Sequence, residues 1–315
     1  MTAQAKGSMG RVVVDWETTF ATDPVSPVGQ SLPFNTCEIE AKQNLIETGT
    51  MTGTRNPAQP GLGRVTVGGA MTVPMCFNSV GFWLKALFGA PTTTGTSKYT
   101  HAFKIATSQP SMVIEKGFTD ITQYEKFNGC KLNTFTLNFG DDSELVASLD
   151  ILGAKSTLSA TPYDETVTAV ALDRINQFQA TLEEGGSAFA DVLSGTLVIS
   201  SNLDGNNFTV GAGNTRGSIP EGQYAVTGTL KVLFKDATLI NKGKNATESS
   251  LKLKFTKDAD TSVEFSIPEI QYDAVSPKIS GPAGIVLDLS YRGFYGNDAA
   301  ASVAVVTLKN TTASY

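Results

Sequence analysis

The chain is short of charge, histidine, cysteine and tryptophan, and each shortage removes a class of function. Only 17% of its 315 residues are charged, and the formal net charge is −6. A surface that grips phosphate needs clustered Lys and Arg, so nucleic-acid binding through a basic patch is excluded. His101 is the single histidine, which rules out a His-rich metal site by count. Its neighbours, Lys98-Tyr99-Thr100 and Ala102-Phe103, describe a strand residue with no carboxylate close in sequence to orient it, which argues against a triad. Cys37, Cys76 and Cys130 are odd in number and widely spaced, so they imply no disulfide framework and are read as buried small hydrophobes in a reducing compartment. Two Trp without an aromatic cluster leave no stacking platform for a sugar, although sequence alone does not show whether two carboxylates face each other as in a glycosidase.

Long hydrophobic runs are missing too. Gly81-Phe82-Trp83-Leu84-Lys85-Ala86-Leu87-Phe88 is too short to span a bilayer and contains a lysine. Residues 1–10 hold one Lys and no apolar stretch that would serve as a signal peptide. The expectation is a soluble protein with no membrane anchor, no metal and no cofactor. Asp141-Asp142-Ser143-Glu144 lacks the ligand spacing of a calcium loop and reads as a hairpin turn. Gly153-Ala154-Lys155-Ser156 lacks the upstream glycine of a phosphate-binding loop.

Short strands and tight turns are abundant. Thirty Gly and thirteen Pro, with many Thr, Ser and Val, point to a mainly β chain. Arg11–Glu17 reads as a strand, and the Thr22–Pro27 stretch as a rigid arm, within an arm region of residues 15–35. Residues 52–63 form a long loop of Gly, Pro and Asn. One helix is evident from Ser79 to Phe88, where Val80, Trp83, Leu84, Leu87 and Phe88 recur at helical spacing before Gly89.

The strands alternate with period two. Val65, Val67, Gly69, Met71 and Val73 oppose Thr66, Gly68, Ala70 and Thr72, and Phe135, Leu137 and Phe139 oppose Thr134, Thr136 and Asn138. Leu145, Ala147, Leu149 and Ile151 oppose Glu144, Val146, Ser148 and Asp150, while Val226, Gly228, Leu230 and Val232 oppose Thr227, Thr229 and Lys231. Alternation of this kind marks antiparallel sheet with one face dry and the other small, hydroxylated and neutral to acidic.

The chain also repeats itself. Thr54-Arg55 leads to the Val67–Val73 strand, and Thr215-Arg216 leads to the Val226–Val232 strand. Further on, Tyr124 to Lys131 matches Tyr272 to Lys278, and the alternating run Leu132–Phe139 matches Ile285–Tyr291. Two domains follow, residues 1–180 and residues 181–315, with Ala237–Gly243 as a shortened or lost counterpart of the helix.

One stretch discriminates between families. Glu17-Thr18-Thr19-Phe20-Ala21-Thr22-Asp23-Pro24, Leu32-Pro33-Phe34 and Met51-Thr52-Gly53-Thr54-Arg55-Asn56-Pro57 are followed by the Val67–Val73 strand, by Leu84–Gly89 and by Phe118–Tyr124 running into Gly129-Cys130-Lys131. Their order and spacing resemble the major tail tube proteins of long-tailed bacteriophages over most of residues 11–153, with Ala21 where the family often has Gly. The resemblance implies tandem β-sandwich or barrel domains with one flanking helix. It further implies rings whose inner strands join into a continuous β-barrel, stacked to make the conduit for DNA ejection.

On that basis Thr66, Thr72, Thr134, Thr136, Asn138, Glu144, Asp150, Thr227, Thr229 and Asp288 are expected to face the lumen. Thr54, Arg55, Asn56 and Pro57, with Thr215 and Arg216, are expected to contact a neighbouring ring. A doubled domain turns a sixfold ring into a trimer with pseudo-sixfold symmetry, the alternative being a hexamer. The implied partners are further copies of the chain, the tape measure protein, and terminator or distal tail proteins. DNA passes through unbound, and the place of action is the virion tail after assembly in the host cytoplasm. The competing readings are a tail terminator or distal tail ring, and, from another class, a carbohydrate-binding β module or glycosidase.

Overall fold

A computed structural model describes residues 4–279, 281–296 and 299–315. Residues 1–3 of the expected flexible start lie outside this set. Gly7–Met9 forms a 3-10 turn, and the Lys6 backbone N–H donates to Asp120 at 2.8 Å.

The first half contributes β1 (Gly10–Trp16), β2 (Gln30–Ser31), β3 (Thr36–Cys37), β4 (Glu40–Ile46), β5 (Gly61–Pro74) and α1 (Val80–Phe88). It continues with β6 (Thr92–Gly95), β7 (Tyr99–Lys104), β8 (Met112–Phe118), β9 (Gln123–Phe139), β10 (Val146–Gly153) and β11 (Lys155–Ser159). After β12 (Thr168–Ala169) the second half supplies β13 (Ala180–Glu184), β14 (Ser187–Ala188), β15 (Val192–Ser200), β16 (Ala225–Leu233) and α2 (Thr238–Lys244). The last strands are β17 (Ser249–Thr256), β18 (Ser262–Tyr272), β19 (Val286–Gly293) and β20 (Val305–Asn310).

One antiparallel sheet runs through both halves. β3 and β4 pair with β5, then β10, β9, β15, β16, β19 and the end of β18 follow in order. Its two ends do not meet, so the sheet of one chain is open and the expected barrel is not closed within it. Two backing sheets cover it. The first is β12–β2–β1–β8–β9–β11, and the second is β14–β13–β17–β18–β20–β7–β6.

β9 belongs to two sheets because it bends at Gly129. That residue has φ +66, and a Cβ there would lie 2.8 Å from the Ala154 methyl and 3.0 Å from the Phe20 ring, so glycine is required. Up to the bend β9 pairs with β8 and β11, the β8 ladder crossing it only at Cys130, and beyond it β9 pairs with β10 and β15. Side chains pointing between the layers form one apolar cluster that spans both halves, and the Phe135 and Phe265 rings stack across it at 6.0 Å.

The helical periodicity at Val80–Phe88 is matched by α1, closed by Gly89 at φ +98 with its N–H on Lys85 O. This helix is not merely flanking, because every residue except Lys85 is buried. α2 is shorter, as expected, and buries only Ile240. The Thr22–Pro27 arm turns back on the body, where Asp23 accepts from Asn128 at 2.7 Å and pairs with Lys126.

One pairing order occurs twice: β4–β5–β10–β9 and then β15–β16–β19–β18. The register corrects the residue matching made from sequence. Val67 faces Gly153 as Val226 faces Gly293, and Lys131 faces Leu152 as Gln271 faces Arg292. The counterpart of Lys131 is therefore Gln271 and not Lys278, and β19 is the counterpart of β10 and not of the Leu132–Phe139 run. Any two strands of period two superpose in sequence, and only the ladder fixes which belong together.

Candidate functional site

The wet face of the through-going sheet gathers most of the small polar residues singled out from the sequence. One row across the strands reads Thr72, Ser148, Thr136, Val198, Thr227 and Arg292. The next reads Asn138, Thr196, Thr229 and Ser290, and on the other side lie Asp150, Thr134 and Ser200. Thr66 stands at the β4 side, its hydroxyl donating to Lys42 O at 3.3 Å, and Asp288 faces Lys231 across β16 and β19.

Part of this polarity is satisfied within the sheet. Thr196 and Thr229 share a hydroxyl hydrogen bond of 2.9 Å, Thr134 Oγ1 donates to Ser200 Oγ at 3.2 Å, and Asn133 Nδ2 donates to Asp150 at 2.8 Å. Arg292 lies 4.0 Å from Asp273. Among the described residues the face offers short hydroxyls, with the cations Lys231 and Arg292 set opposite Asp288 and near Asp273.

Glu144 is placed differently from the other acids. It lies outside the strands, in the turn region between β9 and β10, where Asn35 Nδ2 donates to it at 2.7 Å and Arg174 pairs with it at 2.8 Å. The Asn35 hydrogen bond, followed by that of Arg174, holds its carboxyl below the usual glutamate value. It lies beside the polar face of the sheet and not on it. In the same turn Asp141 accepts from the Ser143 backbone N–H at 2.9 Å and from its hydroxyl at 2.6 Å, as a capped turn does.

Sequence reasoning missed β15 as a strand of this polar face. The signal was present in Thr196, Val198 and Ser200 alternating with Leu197 and Ile199. These residues connect the two halves, since β15 pairs with β9 on one side and β16 on the other.

The two loops differ sharply. Residues 47–60 connect β4 to β5 and are exposed almost throughout, with Met51 97% exposed and Asn56 N–H donating to Thr54 Oγ1 at 3.2 Å. Arg55 and Pro57 are exposed there as well. Residues 201–224 connect β15 to β16, and Arg216 turns inward with only 8% of its surface exposed. Its guanidinium donates to Val67 O at 2.5 Å, Gly153 O at 2.6 Å and Gly205 O at 2.6 Å, and burial lowers its pKa. Thr215 donates to Ala212 O at 3.0 Å, and Asn214 O accepts from Val65 N–H at 2.7 Å. Asn214 and Arg216 thus staple the second loop to β5 and β10 of the same chain, so the likeness of Thr215-Arg216 to Thr54-Arg55 does not extend to their surroundings.

The remaining candidates are structural. His101 is fully buried on β7, bonded to Thr93 Oγ1 at 2.8 Å and Thr312 O at 2.9 Å, and burial lowers its pKa. Cys76 and Cys130 are buried, whereas Cys37 is only half-buried at the sheet edge, and all three are free thiols. Among the described residues no cluster of three or more His, Cys, Asp or Glu could hold a metal ion, and no helix is long and apolar enough to cross a membrane.

No curated protein matches the chain significantly. A family model described as phage tail tube protein matches residues 7–293. The chain belongs to this phage tail tube family, which makes it a structural component of the virion tail.

Proposed function

We propose that the chain forms rings that stack into the tail tube and guide DNA during ejection, each ring containing three copies. The observation that carries this reading is the pairing order that occurs twice in one open sheet, consistent with two tandem tube units, residues 1–180 and 181–315. Three such sheets joined edge to edge would make a closed wall with pseudo-sixfold symmetry, and closure would remove the exposed strand edges that invite uncontrolled pairing. The hydroxyl-lined face then points inward. There Thr72, Thr134, Thr136, Asn138, Thr227 and Thr229, with Asp150 and Asp288, let a duplex slide without multidentate phosphate contacts. Assembly takes place in the host cytoplasm, with tape measure and terminal tail proteins as further partners.

The exposed loop of residues 47–60 reaches the next ring. Its glycines and prolines suit a segment that becomes ordered on docking. Electron microscopy of the concentrated protein is expected to show hollow open-ended rods, and the mass of an isolated ring is expected to equal three chains. A mass of six chains would overturn the trimer, and rings that never stack would mark a terminator. Deleting Asn56–Gly61 is expected to leave folded subunits that do not polymerise.

A further inference from the structure

The joint between the two halves inside one chain is a template for the joint between chains. Beyond Gly129, β9 runs on as Thr134–Phe139 and pairs with β15, so that Phe139 faces Gly195, Asn138 faces Thr196, Leu137 faces Leu197, Thr136 faces Val198, Phe135 faces Ile199 and Thr134 faces Ser200. Gln271 and Tyr272 correspond to Lys131 and Leu132; β9 then bulges at Asn133 before Thr134, and the burial sequence of Tyr272 in, Asp273 and Ala274 out and Val275 in repeats that bulge at Asp273, which makes residues 274–279 the counterpart of residues 134–139. Yet β18 stops at Tyr272, and after Asp273 N–H donates to Ser290 O at 2.9 Å the chain leaves β19. A cleft lined by Val275, Ser276, Lys278, Val286, Leu287 and Asp288 opens where a ladder would otherwise lie.

The segment nevertheless keeps the pattern of a strand. Val275 and Pro277 are partly buried, while Ala274, Ser276 and Lys278 are exposed, and only Ile279, 84% exposed, lacks the cover its register position calls for. At the other end of the sheet, among the described residues, β3 and β4 pair with β5 alone. They correspond to β15, because Cys37 faces Met71 as Gly195 faces Leu230, and Ala41 faces Val67 as Ile199 faces Val226.

We infer that residues 274–279 form a strand on β3 and β4 of a second copy of this chain, in the register Ile279 to Cys37, Lys278 to Glu38, Pro277 to Ile39, Ser276 to Glu40, Val275 to Ala41 and Ala274 to Lys42. This rests on the ring reading above and specifies how its chains meet. In that register apolar Val275, Pro277 and Ile279 meet Ala41, Ile39 and Cys37 on the dry face, and Lys278 opposes Glu38 on the wet one. Pro277 has no N–H to give, and the carbonyl it would face, Ile39 O, already accepts from Lys116 Nζ at 2.8 Å. The proline also biases Ser276 towards extended backbone, which keeps the segment ready to pair.

Mild oxidation of assembled protein carrying Ile279→Cys is expected to link that thiol to Cys37 of another chain and yield covalent multimers, while the parent and Ser276→Cys yield none. Assembled rings without this cross-link, or with equal linking through Ser276→Cys, would overturn the register and leave the ring reading intact. A parent chain that stays monomeric at every concentration would instead overturn the ring reading, and this joint with it. As a second measure, Glu38→Lys and Lys278→Glu are each expected to weaken ring assembly by up to about fivefold per joint, the scale of one cross-strand charge pair, and to restore it when combined. Failure of the double variant to recover would count against the pairing.

Discussion

The two halves of the chain share a pairing order but divide its duties. The first half carries a nine-residue helix buried on nearly every side and a loop left free in solvent. The second half has a seven-residue helix with one buried residue, and its corresponding loop is held down by Arg216. Two halves that share a pairing order in one continuous sheet need not carry equal sets of parts. The second half follows the joint at β15, where a loop that reached outward would give up the bonds from Arg216 to β5 and β10. The first half has its loop at the open edge of the sheet, exposed almost throughout.

The helices give the largest test of this division. Trp83 is 1% exposed in α1, and Trp83→Ala is expected to destabilise the subunit by about 4 kcal/mol, against about 2 kcal/mol for Ile240→Ala in α2. Denaturant titration of both variants compares them, and equal losses would break the asymmetry. The arginines come next. Arg216→Ala leaves three backbone carbonyls without their cationic donor and is expected to cost about 3 kcal/mol. Arg216→Lys should recover little, because one ammonium does not reproduce a planar fork that reaches several acceptors. Arg55→Ala, by contrast, is expected to leave subunit melting unchanged and to slow ring stacking, read by light scattering. A destabilised Arg55→Ala subunit would show that the first loop is held by its own chain as firmly as the second.

Much of this architecture was legible in the sequence because alternation and helical spacing are local signals. The wet faces at Thr66–Thr72, Thr134–Asn138 and Thr227–Thr229, the helix before Gly89 and its shorter counterpart all follow from neighbours a few residues apart. Long-range register is not local. The likeness of Lys131 to Lys278, and of Arg55 to Arg216, came from residue type alone, and a lysine or arginine on a β surface carries little information about its ladder partner. The bend at Gly129 could be suspected from a glycine inside a strand, but not that it moves β9 from one sheet to another. Glu144 looked like a wall residue because alternation continues through a turn in sequence when the strand has already ended in space.

The smallest expected effect concerns how each half holds a short strand towards the edge of its backing sheet. β13 and β14 are joined by a tight turn at Gly185 and Gly186, both with positive φ, so their pairing needs little outside help. β1 and β2 are separated by the arm, and the approach to β2 is pinned instead by Asp164, which accepts from Gly29 N–H at 2.8 Å and Thr166 N–H at 2.7 Å. The Thr166 and Gly29 amides hold the Asp164 carboxyl below its usual value. A carboxyl depressed on folding stabilises fully above its unfolded pKa, and that contribution disappears as pH falls through the folded one. The stability gap between the parent and Asp164→Asn is therefore expected to be on the order of 1 kcal/mol at neutral pH and to shrink as pH falls below about 4. Urea titrations of the two proteins across that range measure it. A gap that widened in acid would mean that the charge on Asp164 opposes the pairing of β1 with β2, and the first half would then hold its edge by burial alone.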